Sequence, residues 1–147
     1  MGVTAGQKLG GQPYLQTEEN KSAAAWTIGD ALYQVSNAWV KCPTTATTSP
    51  FAMAADTRAS GDAKGPVVTD GVVTMTAGAA IGVGKYVQSD TTTPGRIMEW
   101  AGTLPNAIIG RYLGKPNQVD GKTVQTAAAA GEVIWVKLGT AGGVGVS

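Results

Sequence analysis

GEVIWVKLG, residues 131–139, is the stretch whose reading decides the fold. Ile134, Val136 and Leu138 alternate onto one face of an extended strand, and Val133 and Trp135 onto the other, which Lys137 ends. Apolar residues on both faces of a strand call for cover on both sides. That pattern requires a second layer of strands and excludes a solitary sheet.

Working outward, the same grammar recurs. VVTDGVVTMTAG starts at Val67, GKYVQSD at Gly84, GRIMEWAG at Gly95, NAIIGRYLG at Asn106 and GKTVQTA at Gly121. Each is a short apolar run bounded by glycine. Glycines interrupt every window long enough for a helix. The run at 127–130 is too short for an independent helix and reads as a tight connection. Asp70-Gly71 is a turn signal between VVT and VVTMT and predicts a hairpin. Residues 67–147 are therefore expected to form a small antiparallel β-barrel or sandwich. Ile81, Val87, Ile97, Ile109, Val124, Ile134 and Val136 are expected inside.

Upstream, the chain is less regular. Residues 1–21 contain Gly2, Gly6, Gly10 and Gly11 and little that could form a core. They read as an extended N-terminal arm, with Pro13 and Tyr14 as a local anchor. Such a segment has too little apolar area to offset a backbone ordering cost of roughly 1–2 kcal/mol per residue. Residues 1–14 are expected to lie extended against a neighbouring chain, with Tyr14 partly buried there. Residues 22–66 read as an irregular β/loop region. Ser22 is placed to cap a helical turn through Trp26. Residues 31–36 and 38–41 look like two strands broken near Asn37, with Leu32, Gln34 and Ser36 on one face and Tyr33 and Val35 on the other. PTTATTSP, residues 43–50, is not expected to be a buried central strand and opens a long Thr/Ala-rich insertion. Ser49 before Pro50 predicts a short helix to about Arg58. A loop of that length is expected to meet a neighbour.

Composition narrows the function. The 147 residues include 21 Gly, only 14% charged residues against about 25% for an average soluble domain, and a net charge of +1 with no basic block. Scattered lysines and arginines do not make a nucleic-acid surface. A sparsely charged, small-residue surface suits a protein covered by neighbours. The chain has 0 His and 1 Cys, Cys42, so neither an internal disulfide nor a Cys/His or Ser/His nucleophile can be built. No basic-then-apolar leader opens it, so no signal peptide is expected, and no run approaches a membrane span.

The remaining chemistry is thin. Asp56, Asp62 and Asp70 do not make a calcium loop. Nothing in the spacing of Glu18, Glu19 and Glu99 pairs them as carboxylates. Gly78, Gly82 and Gly84 before Lys85 and Tyr86 depart from the phosphate-loop and dinucleotide patterns. No catalytic residue, cofactor or metal is expected. AGAAIGVGKYV and AAAAGEVIWV instead share one form: small residues, a glycine, then a strand.

Those segments carry a resemblance. Ala77-Gly78-Ala79-Ala80-Ile81 followed by Gly84-Lys85-Tyr86-Val87, Ala107-Ile108-Ile109-Gly110 before Arg111-Tyr112-Leu113, and Ala129-Ala130-Gly131-Glu132 before the strand at 133–138 resemble, in that order, the head decoration or cement proteins of tailed bacteriophages. The similarity spans roughly residues 67–144; the front half matches less well. It implies a non-enzymatic structural protein on the outer surface of a virion capsid, assembled in the host cytoplasm. It further implies clamping of adjacent major capsid protein subunits, a homo-oligomer with a trimer favoured, and an N-terminal arm laid on the shell. The arm matching that role is residues 1–14. The residues expected at the partner interface are Met1, Val3, Leu9, Pro13, Tyr14, Trp26 and Phe51. Neither nucleic acid nor membrane is an expected partner. Two other readings stay open: a tail, baseplate or minor head component, and a displayed carbohydrate-binding module. Trp26, Trp39, Trp100 and Trp135 separate the latter, since sugar binding needs them exposed along a groove.

Overall fold

The computed structural model describes residues 5–6, 15–19, 25–35, 38–44, 51–59, 64–102, 107–116 and 124–139. Ten strands account for the regular structure among them: β1 (Leu15–Glu19), β2 (Ala31–Val35), β3 (Ala38–Lys41), β4 (Phe51–Ala54), β5 (Lys64–Val68), β6 (Val72–Thr76), β7 (Tyr86–Ser89), β8 (Ile97–Glu99), β9 (Gly110–Gly114) and β10 (Val133–Leu138). They form two five-stranded antiparallel sheets. The first runs β1-β5-β4-β2-β3 and the second β6-β10-β9-β7-β8.

The architecture is all-β and sandwich-like, which corrects the barrel alternative. Both sheets are open. β1 and β3 approach within 8 Å at their Cα atoms, so the first sheet curls strongly. No ladder among the described residues joins those edges. In the second sheet a single-residue bridge, Ala77 to Ile97, reaches from the end of β6 to β8 without continuing as a strand pair.

The core follows the alternation read from β10. Ile134, Val136 and Leu138 point inward with Val73, Met75, Ile109 and Tyr112, and meet Met53, Phe51 and Val68 of the first sheet. Each such fully buried aliphatic side chain contributes on the order of 1.5–3 kcal/mol relative to exposure. Of the seven residues expected inside, Ile81, Val87, Ile97, Ile109, Ile134 and Val136 are buried. Val124 is not: it is 82% exposed, and residues 124–127 form no strand.

The other face of the first sheet has its own core of Leu32, Ala52, Ala54 and Val67, closed by Trp26 and Trp39. Small alanines allow the tight curl, and the two indoles fill what they leave. Leu32 and Trp39 share this face because Gln34 pairs with Trp39 across the β2–β3 hairpin.

Three local expectations are overturned. Residues 51–54 are strand β4, not a helix from Pro50. Phe51, Ala52 and Met53 find their backbone partners on β2 and Met53 and Ala54 theirs on β5, and those long-range ladders outweigh the local helix-start signal. Asp70-Gly71 does not close a hairpin. β5 pairs with β1 and β4, whereas β6 pairs with β10, so the turn carries the chain from one sheet to the other. Trp26 is no helix residue; it makes a two-bond bridge with Arg58. Residues 22–66 thus supply β2, β3, β4 and the start of β5.

Candidate interaction surface

The residues expected at a partner interface divide into two groups. Met1, Val3, Leu9, Pro13 and Tyr14 lie outside the described residues. Trp26 and Phe51 are buried within the chain, in the two separate cores, so neither offers its side chain at the surface. The Trp26 indole Nε1–H donates to the Asp56 carbonyl at 2.9 Å, and the Arg58 guanidinium stacks 4.6 Å from its ring centroid. This cation over an indole was not legible in the sequence, where Arg58 stood only as the end of an expected helix.

Two parts of the 1–21 arm are described: Leu15–Glu19 is strand β1, paired with β5 in the chain's own first sheet, and residues 5–6 are a turn. Ala5 and Gly6 form a turn that grips the chain's own two sheets. The Gly6 N–H donates to the Thr74 carbonyl of β6 at 2.8 Å. On its other side the turn sits against Ile28 and Gly29, in the loop before β2. A Cβ on Gly6 would strike the Ile28 side chain, and a Cβ on Gly29 would strike Ala5. Both glycines have positive φ, 91° and 90°. Close approach and left-handed backbone together require glycine at these two positions.

The segments that carry the family resemblance form one hydrogen-bonded unit. Ile81 and Ala128 exchange both backbone bonds, at 3.1 and 2.9 Å. Ala77 N–H donates to the Glu132 carbonyl at 2.9 Å, and Gly131 N–H to the Ala77 carbonyl at 2.7 Å. The two similar strand entries are therefore paired with each other at one end of the second sheet. Glu132 fixes the second entry: it accepts from the Ala129 N–H at 2.6 Å and meets Lys115 Nζ at 3.1 Å. Those contacts hold its carboxyl below the ordinary value, the backbone bond first and Lys115 after it, against a smaller opposing effect of burial. The Tyr112 hydroxyl, which donates to the Thr126 carbonyl at 2.8 Å, is pushed up by burial and by Glu132.

The outward face of the second sheet combines a basic pair with apolar and aromatic groups. Lys137 stands opposite Arg111 on the neighbouring strand, and Arg111 opposite Tyr86 on the next. Arg111 Nε donates to the Gly84 carbonyl at 3.0 Å, and Lys137 meets Asp70 at 3.6 Å. Leu113 alternates outward with Arg111 along β9, beside the register shift opposite Trp135, and is 38% exposed. Val83, in the turn before β7, is also exposed.

The Cys42 thiol is fully buried, and burial, then the charge of Asp30, push it far above its ordinary value, so it stays protonated. No group of three or more His, Cys, Asp or Glu that could hold a metal occurs among the described residues. No described helix is long and apolar enough to cross a membrane. Of the tryptophans, Trp26, Trp39 and Trp135 are buried and Trp100 is half-buried. No protein-family model matches the chain, and no curated protein matches its sequence.

Proposed function

We propose that the chain is a structural decoration protein of a tailed-phage head, bound to the outer shell and holding neighbouring major capsid subunits together as a trimer. The observation that carries this reading is the mutual pairing of the two strand entries on which the resemblance rests. Motifs that fold as one unit are weightier than the same motifs scattered. Low charge and the absence of histidine from the whole sequence support a non-enzymatic role. The tryptophans favour this reading over a carbohydrate-binding module, because none stands fully exposed to stack on a sugar ring. A tail, baseplate or minor head position remains the second reading and shares the same low charge and β content.

The arm belongs to this role through its residues other than Ala5 and Gly6, which the chain's own sheets hold. Co-sedimentation of the purified protein with expanded heads lacking it tests the proposal. Saturable binding at a fixed ratio to the major capsid protein is expected, and deletion of residues 1–12 should weaken it. Heads that leave the protein in the supernatant would overturn the reading.

A further inference from the structure

Positive charge gathers at one corner of the outward face of the second sheet. Lys137, Arg111 and Tyr86 form a row across β10, β9 and β7, each opposite the next. Elsewhere on this face the strands are covered, since Thr74, Gln88 and Trp135 are buried. The corner is not: Arg111 and Lys85 are exposed. Four large apolar side chains are exposed among the described residues. Two of them belong here: Leu113 stands two positions along β9 from Arg111, and Val83 precedes the Gly84 that holds it. The guanidinium is placed rather than loose. Its Nε donates to the Gly84 carbonyl at 3.0 Å, and a Cβ on Gly84 would stand 3.5 Å from a terminal nitrogen. Neither Arg111 nor Lys85 meets a carboxylate among the described residues. The acids close by are committed or weakly held. Glu99 accepts from the Gly82 N–H at 2.8 Å. Asp70 meets Lys137 at 3.6 Å but is itself 78% exposed, and so open a pair contributes little and exchanges readily.

We propose that this corner docks an acidic segment of a partner protein, with a carboxylate forked onto Arg111 and an apolar side chain beside it covering Val83 and Leu113. Charge complementarity selects the occupant. A guanidinium fixed through Nε offers its terminal nitrogens to the two oxygens of one carboxylate, the strongest form of the ion pair. Lys85 and Lys137 stand on either side of it to hold further acidic groups. A phosphate would also satisfy Arg111, but a nucleic-acid strand needs a track of cations along its backbone. Here the cations are interleaved with apolar side chains, and the whole chain carries only +1. A peptide that mixes carboxylates with apolar groups uses both kinds of surface. This inference does not rest on the role on a phage head.

Titration of the full isotope-labelled chain with two capped synthetic heptapeptides, without any shell present, tests it by chemical-shift perturbation. One peptide alternates glutamate and leucine, and the other is glutamate alone. The mixed peptide should shift the amide signals of Lys85, Tyr86, Arg111 and Leu113 saturably and leave those of Lys41 and Arg96 in place. It should also bind more tightly than the all-glutamate peptide. Arg111→Gln should weaken its binding about tenfold and Leu113→Ala about threefold. The parent titration decides even where a variant does not fold. Signals that stay in place at millimolar peptide, or that move at every exposed lysine and arginine alike, overturn the proposal. So does unchanged binding by a folded Arg111→Gln chain. Tighter binding of a thymidine heptanucleotide would mark a nucleic-acid site, and shifts at this corner that grow with protein concentration alone would mark a contact between copies; either overturns it.

Discussion

The backbone of Gly95 sits against the carboxylate of Asp30, so close that a Cβ built on Gly95 would stand 2.7 Å from Asp30 Oδ1. This contact joins the two sheets. The Asp90 carboxylate accepts from the Thr93 N–H at 2.8 Å and shapes the loop that presents Gly95. Gly95 N–H then donates to the Cys42 carbonyl at 3.0 Å, and its own carbonyl accepts from Ala31 N–H at 2.8 Å. Asp30 is held from the other side by the Thr27 N–H at 2.8 Å and Lys41 Nζ at 3.2 Å.

Gly95→Ala should therefore destabilise the fold by two mechanisms. Its φ of 83° is unfavourable for any residue with a Cβ, at about 1–3 kcal/mol, and the carboxylate adds a collision. Removing the carboxylate relieves only the second. Urea unfolding should show that Gly95→Ala costs less in an Asp30→Ala background than in the parent. Equal costs in both backgrounds would mean that Asp30 does not crowd Gly95.

Ile134 and Val124 make a paired test of the core. Ile134→Ala leaves a cavity between the sheets and should cost about 2–5 kcal/mol. Val124→Ala removes an exposed side chain and should stay within about 0.5 kcal/mol of the parent. Similar losses at both positions would contradict the placement of Val124.

These two residues also show how far the sequence could be read. The alternation of β10 named Ile134 and Val136 correctly because the face they share packs against the first sheet, so local pattern and tertiary environment agree. GKTVQTA has the same look, but among the described residues no strand pairs with 124–127, and a period of two without a ladder partner buries nothing. Phe51 failed for the opposite reason: its partners on β2 are some twenty positions away, beyond any local signal. Asp70-Gly71 announces a turn but not its destination, since turn chemistry is the same whether the strands pair or part. Of the candidate surface, Arg111, Leu113 and Lys137 stood in recognised strands. Their side-by-side placement depends on inter-strand register, which a single sequence does not display.

Glu132 should leave an acid signature. Its folded carboxyl titrates below the ordinary value, so the stability it contributes is present above that ordinary value and is lost as pH falls through the lowered one. Stability measured from pH 7 to pH 2 should fall less steeply for Glu132→Gln than for the parent across the acid limb. The side chain is 36% exposed, so added salt should shrink the difference. Identical acid limbs would show that Ala129 and Lys115 do not hold the carboxylate.

Cys42 should be chemically silent in the folded protein. With its thiol pushed up by burial, the protonated form persists, and the stability linked to it is present below the ordinary thiol value and lost as pH rises beyond it. At pH 8 a thiol reagent should label Cys42 at the rate of unfolding, and at once in denaturant. Rapid labelling of the native chain would contradict its burial.

The central claim, a decoration protein spread over a phage head, is tested most directly by imaging the assembled particle and fitting this two-sheet fold into its map. The account predicts density for the fold at every equivalent three-fold position on the outer shell, three copies to a site. Density confined to the tail, baseplate or a single vertex would contradict it.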